Sequence, residues 1–220
     1  MIGQTQFPWK NFLFLAAYSI AMGLAEAAIV IYLRELFYPE GFCFPIKLIP
    51  AKIAIVEISR EAATVIMLLS VGWFSGKRFL TRFAGFIMAF AIWDIFYYVF
   101  LKIALDWPAT LLDWDILFLI PLPWIGPVLA PVLVSIAFIG AGVAIWHFEA
   151  IARPLNFIKI EWILILLAGA VILITFLTNV KTVAQQQMPH PFWWIFFTAG
   201  LILGCAAFVR GVRRNLSQTE

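Results

Sequence analysis

Six stretches of the chain, about 11–33, 50–74, 83–103, 125–147, 160–178 and 192–209, are apolar over a length that can cross a bilayer as a helix, which takes roughly 20 residues. This repetition constrains the fold more than any other feature. A backbone inside lipid has to satisfy its own N–H and C=O groups, so a chain of this pattern folds as transmembrane helices. Composition agrees: 64% of residues are hydrophobic and 12% charged, with a mean hydropathy of +0.99. A soluble domain is nearer half apolar and about a quarter charged. The expectation is an all-α, polytopic transmembrane bundle of about six spans, forming one integral membrane domain over 1–220 with the lipid bilayer as its main partner. Ala25-Glu26-Ala27 resembles a signal-peptidase site, but the apolar run continues to Leu33, so the first stretch reads as a span.

Lys and Arg near the helix ends give a direction. Lys10, Lys77, Arg78, Arg82, Arg153, Lys159, Arg210, Arg213 and Arg214 collect on one side, while Arg34, Lys47, Lys52, Lys102 and Lys181 are spread over longer loops on the other. Cytoplasmic loops carry the basic excess, so both termini are expected in the cytoplasm, in a plasma or inner membrane. Tryptophan favours the headgroup region. Trp9, Trp73, Trp146 and Trp162 fall at the expected inner ends and Trp107, Trp114, Trp124, Trp193 and Trp194 at the outer ends; only Trp93 is mid-span. The net charge of +3 is thus topological rather than a nucleic-acid footprint, because the basic residues form no stripe.

The segment from Asp106 to Trp124 is too short to span after its capping Asp106 and Pro108, and Pro121 and Pro123 stop it. It reads as a short interfacial or re-entrant helix over about 108–119 on the outer face, with Trp107 and Trp114 on one side. Pro127 and Pro131 then enter the fourth span. Gly200 and Gly204 form a GxxxG pair suited to close packing within the bundle or against another copy.

Charged side chains inside a bilayer each cost about 2.5–3.5 kcal/mol even on the lenient insertion scale. This chain places Glu26 in span 1, Glu57, Arg60 and Glu61 in span 2, and Asp94 in span 3, all from mid-membrane to the outer half. Glu57 and Glu61 share a helix face beside Arg60, and Thr64 lies a turn further in. Ser19, Gly23 and Glu26 form a small and polar stripe, and Asp94 shares a face with Tyr97 and Tyr98, whose hydroxyls can donate to a carboxylate. These five residues form the expected binding or relay cluster, supported by Tyr97, Tyr98, Asp113 and Asp115. Four carboxylates against one guanidinium leave an excess that requires protons, a bound cation or water.

An all-oxygen donor set suits a hard cation. Zinc and haem are not expected, because the only histidines, His147 and His190, fall near opposite faces and no CxxC spacing occurs. Cys43 and Cys205 are also expected near opposite faces, too far apart for a disulfide. The best-fitting function is translocation of a proton, cation or small solute through the carboxylates. The alternatives are a non-catalytic subunit of a larger membrane complex, or a membrane enzyme acting on a lipid or isoprenoid. A homo-oligomer or other membrane subunits are compatible partners; nucleic acid is not.

Overall fold

The computed structural model describes residues 7–47 and 49–217. Its helices are α1 (Trp9–Phe37), α2 (Ala51–Phe74), α3 (Phe79–Leu105), α4 (Leu129–Ala150), α5 (Lys159–Leu177), a short α6 (Val180–Ala184) and α7 (Trp194–Ser217). Five units are long and apolar enough to cross a membrane: α1, α3, α4, the Lys159–Ala184 stretch and α7. Helix α2, at 24 residues, matches them in length, about 36 Å at 1.5 Å per residue. Its shortfall is compositional, because Lys52, Glu57, Arg60 and Glu61 lie in its first half. With α2 counted, six antiparallel helices pass between two faces. One, the terminal face, holds both described chain ends and the 75–78 and 151–158 connections; the loop face holds 38–47, 49–50, 106–128 and 178–193.

Helix α3 is the axle. It is buried along most of its length, with α1, α2 and α4 packed around it. Small residues set these approaches. Leu15, Ser19, Gly23 and Ala27 form the α1 stripe, and a Cβ added at Gly23 would lie 3.0 Å from the Trp93 carbonyl oxygen. On α2 a Cβ at Gly72 would meet the Phe86 Cβ at 2.6 Å. The terminal-face half of this unit is apolar, built on Leu15, Leu68, Ala84, Met88, Ala89, Ile92, Trp93 and Ile145.

Helices α5 and α7 form a second pair. The Gly200-Gly204 ridge is used within the chain, lying against Ala168, Val171 and Ile172 of α5. At the terminal face the pair is tied by Arg214, whose guanidinium Nε donates to the fully buried Glu161 at 2.9 Å. Glu161 also accepts the Ile158 N–H at 2.9 Å, capping the start of α5.

The segment expected as a helix over 108–119 is instead an antiparallel hairpin, β1 (Trp114–Phe118) and β2 (Trp124–Pro127). Adjacent side chains on a strand point to opposite faces, and this segment needs that. Trp114 packs on Phe192, while Asp115 turns the other way to Arg34. Pro121 and Pro123, which cannot donate, fall in the turn. Gly126 lets β2 approach α5, since a Cβ there would be 2.9 Å from the Phe176 ring. Asp106 is likewise not an N-cap but the left-handed residue that ends α3. The fourth span starts later than expected, because 124–127 is strand; Pro127 closes β2 and only Pro131 lies in the first turn of α4. Cys43 and Cys205 are both free.

Candidate functional site

Glu57, Arg60 and Glu61 lie about two to three turns into α2 from its loop-face end, and Glu26 about three turns from that end of α1. The helices run antiparallel, so these residues meet at one depth. The Arg60 guanidinium is the hub. It donates from Nη1 to Glu26, from Nε to Glu57 at 2.9 Å, and its Nη2 lies 3.8 Å from Glu61. Thr64 donates to the other Glu26 oxygen at 3.3 Å. Glu61 accepts the Leu119 N–H at 2.7 Å, which ties the hairpin turn to α2 and satisfies a backbone donor that lipid could not. The hub side chains keep only slight exposure, 16% at Arg60 and 10% at Glu26. Three carboxylates against one guanidinium give a formal charge of −2 when all are ionised.

The fifth expected member lies elsewhere. Asp94 faces α4, where the Ser135 hydroxyl donates to it at 2.9 Å in a fully buried contact. Tyr97 and Tyr98, three and four residues on from Asp94, share its side of α3. Asp115 joins a second centre. It accepts from Arg34 Nη2 at 3.0 Å and from the Tyr98 hydroxyl at 3.3 Å. Burial raises the Asp115 carboxyl to about 6, a rise that the neighbouring Arg34 guanidinium opposes. Asp113 does not face either centre. Its carboxylate accepts the Ala109 and Thr110 N–H groups and the Thr110 hydroxyl, shaping the turn before β1.

Tyr97 and Tyr98 lie near the two centres. Their rings touch, with centroids 4.9 Å apart. Tyr97 is within electrostatic reach of Asp115, Arg34, Glu26 and Arg60, and Tyr98 of Asp115 and Asp94. The loop-face half of the α1–α4 unit thus holds both groups of ionisable side chains.

Arg34 is the residue that sequence reading missed, having served only as a topology marker. It is 6% exposed, with its guanidinium carbon 3.7 Å from the Trp107 ring centroid and 4.4 Å from that of Phe42. A basic residue near the end of an apolar helix, opposite an acid flanked by aromatics, was the available signal.

Among the described residues no group of three or more His, Cys, Asp and Glu is placed to hold a metal ion. In the Arg60 centre the guanidinium stands between the carboxylates, where a bound cation would otherwise sit. His147 and His190 lie at opposite faces, the first exposed beside Phe148 and the second bonded through its backbone to Asn179. Comparison with protein-family models, with curated proteins and with solved structures returned no match.

Proposed function

We propose that this integral membrane protein translocates protons, alone or coupled to a small solute, with Glu26, Glu57 and Glu61 as the exchanging carboxylates and Arg60 as their fixed countercharge. The observation that carries the reading is the convergence of three carboxylates on one guanidinium at membrane depth. An excess of two negative charges is untenable in a low-dielectric setting, so the centre takes up positive charge. Arg60 already fills the space between the acids, which favours protons over a coordinated metal ion. Tyr97 and Tyr98 supply hydroxyls between this centre and Asp115 and Asp94, the arrangement a relay uses.

The apolar terminal-face half blocks a continuous path in this conformation, so the reading requires a second conformation opening toward that face. We orient the terminal face to the cytoplasm on the basis of its Lys and Arg residues. The test is reconstitution into liposomes that enclose a pH-sensitive dye. An imposed membrane potential should drive proton flux above that of empty liposomes, and Glu26→Gln should reduce it at least tenfold. Flux in the variant equal to that of the parent chain would reject the reading.

A further inference from the structure

Arg34 has one nitrogen too many for its surroundings. Nη2 binds Asp115, while Nη1 is buried and has no hydrogen-bond partner. A buried, charged donor without a partner is costly, and its usual explanation is a bound molecule or water. Trp107 and Phe42 lie against the guanidinium. The two rings stand at 88° to one another, so they line two adjacent sides of the guanidinium rather than its two flat faces. Arg34 is already paired with Asp115, so a ligand of one negative charge leaves less uncompensated charge here than a doubly charged phosphate, which favours a carboxylate on Nη1.

The surrounding side chains are aromatic. Tyr38 and Phe44 flank Phe42 at centroid distances of 5.1 and 5.7 Å, and Trp107 stands 6.3 Å from Tyr98. Tyr38, Phe42 and Phe44 belong to the irregular loop that follows α1, on the loop face. We propose that Arg34 recognises the carboxylate of a small organic acid with an apolar body, entering from the loop face.

The charge balance adds a consequence. Arg34 and Asp115 together are neutral, so an added carboxylate leaves the centre at −1. The titratable or charged groups facing Asp115 are Arg34 on α1 and Tyr98, Tyr97 and Asp94 on α3. None except Arg34 is cationic, and Asp115 is the group already disposed to take a proton near pH 6. The carboxylate therefore binds with one proton, which the buffer acid releases and an Asp115 oxygen takes up.

This assignment names the solute for the translocation reading, and rests on that reading only for transfer across the membrane. Binding is measured without flux, so the two fail separately. The experiment is titration calorimetry of the full chain in lipid nanodiscs at neutral pH, with acetate, benzoate and benzamide as probes, in two buffers of different ionisation enthalpy. Benzoate should bind more tightly than acetate and take up close to one proton, while the neutral isostere benzamide should not bind. Arg34→Lys should weaken benzoate at least tenfold. The neutral pair Arg34→Gln with Asp115→Asn, which leaves no lone buried charge, should abolish binding while keeping the fold. No saturable binding of either carboxylate, equal binding of benzamide, or full affinity in Arg34→Lys would overturn the proposal and leave water as the partner of Nη1.

Discussion

The two halves of the α1–α4 unit are built by the same four helices and lined in opposite ways. Toward the terminal face, α3 presents Ala84, Met88, Ala89 and Ile92 to Leu15, Leu68 and Ile145. Two turns further along, the same helix presents Asp94, Tyr97 and Tyr98 to charged groups on α1 and the hairpin and to the Ser135 hydroxyl of α4. A bundle that needed only to be stable in lipid would repeat the first lining throughout, since polar groups at this depth are expensive. The second lining is held by specific partners rather than by area. The contrast therefore separates the part of the molecule that supports the fold from the part proposed to carry chemistry.

The contrast can be broken most severely at the hub. Arg60→Leu leaves three carboxylates without their base and should destabilise the chain by about 3–5 kcal/mol, the usual result of removing one partner of a buried ion pair. Adding Glu26→Gln and Glu57→Gln should restore most of that loss. Thermal denaturation in detergent reads both effects, and a lone Arg60→Leu with unchanged stability would show that the centre is solvated. In the apolar half, Gly142→Ala should cost about 1–3 kcal/mol by overpacking. The added Cβ would lie 2.2 Å from the Met88 Cγ, and Met88→Ala should relieve it.

Asp115 gives a pH test of intermediate size. Its native-state value near 6 lies above the ordinary range of an aspartate, so the native chain holds a proton that the unfolded chain has already released. Its contribution to stability is greatest below about pH 4, falls as the pH rises to about 6 and is constant above that. The Arg34 ion pair runs the other way, present above about pH 6 and lost below it. Infrared difference spectra should show a protonated carboxyl band growing as the pH falls through about 6, with the component of that midpoint missing in Asp115→Asn. A band midpoint near pH 4 would place Asp115 in water. The smallest effect belongs to the terminal face, where Arg78 and Glu149 are 46% and 38% exposed. Arg78→Gln should change stability by less than about 1 kcal/mol.

Much of this was legible in the sequence because lipid is a simple solvent. Length and apolarity alone mark the helices, and charges within them stand out. Glu57, Arg60 and Glu61 could be grouped because they lie within five residues of one helix. Asp94 could not be assigned to a neighbour, because spacing shows that it shares a face with Tyr98 but not which helix that face meets. The 114–118 run was misread for a related reason. A short apolar segment between prolines fits a strand or a helix equally well, and the deciding contacts, Asp115 with Arg34 and Leu119 with Glu61, span 81 and 58 positions of sequence.

The most direct measurement compares proton flux in liposomes for the parent chain and two double variants, one from each half. Glu26→Gln with Glu61→Gln removes two hub carboxylates, and Arg78→Gln with Glu149→Gln removes the terminal-face pair. The account predicts that flux is lost in the first and kept in the second. Flux that survives in the first, or falls equally in both, would contradict a role for the Arg60 centre in moving protons.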